Sequence, residues 1–182
     1  MSKIPHPSRR LLLRAGAGAV VAGIMRPAHA LVATGAVRSL AFDNLHTGEK
    51  LAVDYFVDGR YVPEALTAVN RVLRDFRTGE IHTMEPALLD LLVALRAKLE
   101  TSQPLHVISG YRSPATNAKL HEASSGVASN SLHMRGMAID LRVPGCALPA
   151  VRQAALSLQR GGVGYYPRSD FVHVDIGRVR TW

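Results

Sequence analysis

Apolar and polar residues alternate with a period of two over Val37–Asn44 and again over Lys50–Val57. That spacing predicts two half-buried strands, and His46-Thr47-Gly48 between them supplies a hairpin turn. Asp58-Gly59 marks a second turn, after which Tyr61-Val62 touches a sheet edge. At Pro63 the period changes to that of a helix. Leu66, Val69, Val72 and Leu73 form one stripe of a helix expected over Glu64–Phe76, with Arg77-Thr78-Gly79 as its end. The strongest helical stretch is Glu85–Glu100, where Leu88, Leu89, Leu92, Leu95 and Leu99 give a broad buried face. Gln103-Pro104 breaks the chain before a short strand, Leu105–Ser109. Ser113 as N-cap and Pro114 at the first helical position then open another helix. Glu122–Asn130, rich in Ser, Ala, Gly and Asn, reads as a loop bordering a cleft. A strand at Met137–Leu141, a helix at Leu148–Gln159 and strands at Val163–Tyr166 and Phe171–Ile176 complete the pattern. With no internal repeat and no linker, this is an α+β domain: helices packed on one face of a mostly antiparallel sheet.

Strand parity gives the first chemical signal. In Met137–Leu141 the apolar side chains of Met137, Ile139 and Leu141 lie opposite Asp140. In Phe171–Ile176, Val172, Val174 and Ile176 lie opposite His173 and Asp175. Two neighbouring strands with their apolar faces on the core bring Asp140 and His173 to one face. His133 precedes the first of these strands, and Gly136 supplies the turn that folds it back. Two histidines and one carboxylate are the ligand chemistry of a zinc ion that keeps a position open for water. Asp175, farther along the strand, is expected to hydrogen-bond a ligand histidine rather than to join the ligands. His46, His82, His106 and His121 lack partner spacing and are read as surface or core residues.

Charge changes the picture only at the N-terminus. The 182-residue chain is 47% hydrophobic, enough for one core. Its formal charge is +8, but Lys3, Arg9, Arg10, Arg14 and Arg26 fall in the first thirty residues, which hold no Asp or Glu. Without those five cations the balance is +3, an ordinary surface, and no basic stripe with interleaved aromatics suggests nucleic acid. Ser8-Arg9-Arg10-Leu11-Leu12-Leu13-Arg14, an Ala/Gly/Val-rich run to Met25 and Ala28-His29-Ala30 read as a bacterial export signal cut after Ala30. Its paired arginines resemble the twin-arginine type, which makes that export machinery an expected partner and the periplasm the destination. The apolar run is too short and glycine-rich for a lasting membrane span. The chain thus divides into a signal at 1–30 and a domain at 31–182. Cys146 is the only cysteine, so no intrachain disulfide forms.

Ser131-x-His133-x-x-Gly136-x-Ala138-x-Asp140, followed by Gly162-x-Gly164-Tyr165 and Phe171-Val-His173-Val-Asp175, resembles the zinc D,D-peptidases that share their fold with hedgehog signalling domains. The exported murein endopeptidases look like the nearest branch. The resemblance covers most of Leu31–Trp182 and is densest from Ser109 onward. It implies that His133, Asp140 and His173 bind Zn2+, that Asp170 is the catalytic base, and that Arg112 holds the scissile carbonyl. The chemistry agrees: zinc with three protein ligands makes water nucleophilic near neutral pH, a carboxylate moves the proton, and a fixed cation steadies the oxyanion. On a regular strand Asp170 and His173 have opposite parity, so Asp170 must sit in the Pro167-Arg168-Ser169 bend. Ser131 is placed to orient the site and is assigned, with Arg112, to substrate contact. Of Tyr165 and Tyr166 one packs in the core and one lines the cleft, and Tyr165 is assigned to substrate.

The leading function is therefore a zinc-dependent peptidoglycan peptidase that cuts cross-links or stem peptides during cell-wall remodelling. The bond remains open between D,D-, L,D- and carboxypeptidase positions. A non-catalytic zinc-bearing cell-wall module is the alternative, opposed by the presence of Asp170 and Arg112. A cysteine enzyme built on Cys146 has no adjacent histidine or nucleophile signature to support it.

Overall fold

The computed structural model describes residues 37–123 and 126–182. The two alternating segments form an antiparallel hairpin, β1 (Arg38–Asn44) and β2 (Lys50–Val57). The Asn44 side-chain oxygen accepts the N–H groups of His46 and Thr47, which closes the turn. A short edge strand, β3 (Arg60–Tyr61), follows, where the sequence places Tyr61 at a sheet edge.

Helix α1 (Pro63–Val72) ends four residues before the expected Phe76. The cause is Asp75, which is buried and hydrogen-bonds away from the helix axis. One of its carboxylate oxygens accepts the Arg77 N–H at 2.9 Å and the other accepts the Ser113 N–H at 2.9 Å. A side chain that offers the backbone this alternative competes with the last helical turn. Helix α2 (Pro86–Lys98) buries Leu88, Leu89, Leu91, Leu92 and Leu95. Leu91 joins the expected stripe because α2 lies between the sheet and α4 (Leu148–Leu158) and is covered on two sides.

The remaining strands are β4 (Leu105–Ser109), β5 (Ala138–Arg142), β6 (Gly162–Tyr166), β7 (Phe171–Asp175) and β8 (Arg180–Thr181). Together they make one eight-stranded sheet in the order β3-β2-β1-β4-β5-β7-β6-β8. The β1–β4 and β6–β8 pairs are parallel and the others antiparallel. This is the expected α+β architecture with a mostly antiparallel sheet. On one face Leu40, Phe42, Leu105, Val107, Ile139, Leu141, Val172 and Val174 form the core with α1, α2 and α4. The helix opened by Ser113, α3 (Pro114–Ala123), has the expected cap, since the Ser113 hydroxyl oxygen accepts the Thr116 N–H. Its buried Asn117 donates to the carbonyls of Ala128 and Ser129 and thereby holds the cleft-side loop.

The proposed export signal lies outside the described residues. Among the described residues no helix is long and apolar enough to cross a membrane.

Asp75 gives the fold a pH signature. Burial alone would raise its pKa, but hydrogen bonds from Thr116, Ser113 and Arg77 outweigh it and lower the value from 3.8 to about 2. A depressed folded-state pKa contributes stability that is present above the unfolded value and is lost as pH falls through the folded one. Asp75→Ala should therefore cost on the order of 2 kcal/mol at neutral pH. In urea melts, the gap between wild type and variant should narrow between about pH 4 and pH 2. A gap independent of pH would show that the carboxylate charge contributes nothing.

Candidate metal centre

Three elements deliver the two-histidine, one-carboxylate set. Asp140 and His173 are directly opposite each other in the β5–β7 ladder, as strand parity requires. His133 arrives on a single 3₁₀ turn, Leu132–Arg135, that the hydrophobic pattern does not reveal. The turn is capped at both ends. The Ser131 hydroxyl accepts the His133 N–H at 3.4 Å, and Gly136 closes the turn in the left-handed region with φ 65°. A side chain at position 136 is excluded, because its Cβ would stand 2.1 Å from the Thr83 carbonyl oxygen.

The three ligand atoms form a nearly equilateral triangle. His133 Nε2 lies 3.1 Å from His173 Nδ1 and 3.2 Å from Asp140 Oδ1, and His173 Nδ1 lies 2.9 Å from Asp140 Oδ1. Tetrahedral zinc, with bonds of about 2.0–2.2 Å, places its ligand atoms roughly 3.3–3.5 Å apart. The outer partners decide what those atoms are. His133 Nδ1 faces the Gly110 carbonyl oxygen at 2.7 Å and so carries the proton, which leaves a lone pair on Nε2. His173 Nε2 faces Asp175 Oδ2 at 3.0 Å and carries its proton there, which leaves a lone pair on Nδ1. Two imidazole lone pairs and a carboxylate oxygen thus converge on one point, an arrangement that a cation satisfies and that mutual hydrogen bonding does not. His133, Asp140 and His173 are all buried and could hold a metal ion.

The environment tunes each group. Burial pushes the His133 pKa down and keeps the ring neutral. Burial would also lower that of His173, but the carboxylates of Asp140 and Asp175 on either side of the ring favour its charged form, more than offset burial and raise the value. Asp175, accepting the Nε2–H, makes the free Nδ1 a stronger donor to a metal. Burial would raise Asp140, yet the two imidazoles hold it well below the carboxylate range. Asp175 is fully buried and is also held low, by His173 and Arg180 against the effect of burial. Arg180 reaches Asp175 Oδ2 at 2.7 Å, so the order His173–Asp175–Arg180 runs outward from the site, with Asp175 in the place expected for it.

The centre opens into a cleft of about 600 Å³. Arg112 lines it, and its terminal nitrogens make two long contacts, 3.4 Å to Asn117 Oδ1 and 3.5 Å to Asp140 Oδ2. Donor capacity therefore remains for an incoming oxygen. Burial lowers the guanidinium pKa more than Asp140 raises it. Arg112 is fixed from behind through Gly110 and Tyr111. The Tyr111 N–H donates to the Leu73 carbonyl, and Gly110 passes so close to Leu73 that a Cβ would meet its oxygen at 2.3 Å.

Three other assignments fare differently. Tyr165 does not line the cleft. It pairs with Val172, shares that residue's core-facing parity and packs under Arg152, whereas Tyr166 pairs with Phe171 and faces the cleft. Ser131 lines the cleft, but its hydroxyl is engaged as the cap beneath His133. Asp170 sits in the expected bend with φ 53°, 64% exposed, its carboxylate 3.1 Å from Arg142 Nε rather than beside the three ligands. Arg142 also takes the Asp170 and Ser169 carbonyls, so it fixes the whole bend. Ser169 and Phe171 on either side line the cleft, which puts Asp170 at its rim.

Several cleft residues escape the sequence reading, Trp182 and His46 among them. Trp182 stands 5.2 Å from the His173 ring and donates its indole N–H to the Tyr166 hydroxyl at 2.7 Å. His46 lines the cleft and stacks on Phe76. Neither has a neighbouring motif residue that would have singled it out.

A family model described as "Peptidoglycan L,D-endopeptidase MepK" matches residues 32–182, and the chain belongs to that family. The Escherichia coli (strain K12) protein named Peptidoglycan L,D-endopeptidase MepK is 46% identical over 183 residues, covering 100% of both chains. A protein of the same name from Shigella flexneri matches equally. A Haemophilus influenzae protein named Probable peptidoglycan L,D-endopeptidase MepK is 38% identical over 183 residues, covering 100% of this chain and 98% of its own.

The contact behind His173 is open to test. Asp175→Asn should weaken binding of a divalent metal ion about 10–100-fold, measured by competition with a chromophoric chelator. Unchanged affinity would mean that Asp175 neither orients nor polarises the ring.

Proposed function

We propose that this protein is a zinc-dependent endopeptidase of peptidoglycan, acting in the periplasm on peptide cross-links. The observation that carries the proposal is the convergence of the His133, His173 and Asp140 ligand atoms on one point, with both tautomers set from behind. The printed names of its relatives favour an L,D bond as the one cut. The donor set of two neutral imidazoles and a carboxylate fits zinc and leaves room for a further ligand on the cleft side.

When bound there, zinc supplies Lewis acidity that polarises the scissile carbonyl and makes water nucleophilic near neutral pH. The chain's own groups do the rest. Arg112 points spare N–H donors at the oxygen that gains negative charge as the carbonyl becomes tetrahedral. Asp140 is the one carboxylate among the described residues that line the cleft, and it serves as a ligand. The proton acceptor must therefore come from the rim, where Asp170 is the candidate. In that role Asp170 exchanges Arg142 for the attacking water and then delivers the proton to the leaving amine. Ser131 acts through His133, by holding the turn that presents it.

His133→Ala and thorough chelation should each abolish release of peptides from purified murein. Mass analysis of products from muropeptides joined through an L,D or a D,D bond should show cleavage of the former. Asp170→Asn should lower kcat by roughly 10²–10⁴-fold if it is the proton-transfer group, and full activity would remove it from the mechanism. Retention on murein with no product under any metal condition would favour the non-catalytic binding module. The twin-arginine route rests on the Arg9-Arg10 pattern alone. Replacing both residues by lysine should block export, and unimpaired export would refute that route.

A further inference from the structure

Charge around the cleft is unevenly settled. Arg77, Arg112 and Arg180 all line it, against the single carboxylate of Asp140. Arg180 is neutralised by buried Asp175 at 2.7 Å, and Arg112 is directed at Asp140. Arg77 forms no ion pair among the described residues. Acids that might have served it are engaged elsewhere: Glu49 binds Arg74 at 2.7 Å, Glu80 accepts the Tyr111 hydroxyl, and Asp75 is turned to backbone amides.

Arg77 is nonetheless held in place. Its guanidinium lies over the Phe76 ring, 4.1 Å from the centroid, and Phe76 in turn stacks on His46 at 3.8 Å with the planes 6° apart. The backbone N–H of Arg77 donates to Asp75, the same carboxylate that accepts the backbone N–H of Ser113 next to Arg112. One buried anion therefore fixes the two segments that present Arg77 and Arg112 to the cleft. Burial and the nearby Arg77 charge lower the pKa of His46, so this ring stays neutral and leaves the positive charge on the arginine.

We infer that Arg77 is a specificity determinant that binds a free carboxylate of the peptide substrate in the same cleft as the metal centre. The inference rests on the endopeptidase reading above and extends it from the bond cut to the group recognised beside it. A planar guanidinium with its stacking face covered and its N–H edge free suits a carboxylate, which it can grip through two parallel hydrogen bonds. Pre-ordering by Phe76 and Asp75 lowers the entropy lost on binding.

The test uses two cross-linked muropeptides that differ only in one group near the scissile bond, a free carboxylate in one and its amide in the other. Wild type should show a KM about 10–100-fold lower for the carboxylate form, the effect of a charge-assisted hydrogen bond. Arg77→Gln should raise that KM to the level of the amide, with kcat within about twofold, and Arg77→Lys should restore part of the preference. Calorimetric binding of the same two peptides to metal-free protein reads the preference without turnover. Equal affinity of wild type for both forms overturns the inference, as does an Arg77→Gln effect that falls on kcat alone or on both peptides alike. Failure of wild type to cut either peptide, with the binding preference intact, would instead count against the endopeptidase reading and leave the Arg77 subsite standing.

Discussion

Two ring nitrogens facing each other at 3.1 Å in a buried site are a problem that the rest of the molecule is arranged to create. Each imidazole is oriented by an acceptor on its far side, Gly110 for His133 and Asp175 for His173, so neither is free to turn a proton inward. Asp140 adds a third acceptor to the same point. Burying three acceptors together is unfavourable unless something positive joins them. The fold accepts that unfavourable arrangement in one place and surrounds it with well-satisfied structure.

The sheet divides this labour between its faces. Leu141, Ile139, Val172 and Val174 hold β5 and β7 on the core, and this fixes where Asp140 and His173 emerge on the other side. Because the two residues are cross-strand partners, their separation is set by backbone pairing rather than by side-chain reach. His133 and Arg112 come from irregular backbone and need other restraints. Gly136 and Ser131 restrain the former. For the latter, the Arg112 N–H bonds the His133 carbonyl, so the two segments constrain each other. Asp75 anchors the loops from outside the cleft.

Much of this was legible beforehand, for physical reasons. Alternation in β5 and β7 predicted the common face of Asp140 and His173, and the parity conflict at Asp170 predicted a bend there. Capping chemistry located the start of α3 at Ser113-Pro114. What the pattern could not show depends on long-range contacts. Local propensity carried α1 on to Phe76, and only the distant amide of Ser113 explains why Asp75 leaves the helix. Tyr165 and Tyr166 are identical residues on one strand, and only the register with Val172 and Phe171 tells the core residue from the cleft residue. Edge strand β8 and the 3₁₀ turn are too short to leave a period.

The chain of contacts from His173 through Asp175 to Arg180 has a consequence for biosynthesis. Gly110, the first residue needed to set a histidine tautomer, and Arg180, the residue that neutralises Asp175, lie seventy positions apart, with every ligand between them. A nascent polypeptide still lacking β8 has Asp175 without its arginine and β6 without its parallel neighbour. The orientation of His173 is therefore completed only when the last strand joins the sheet, although all three candidate ligands precede it in the chain.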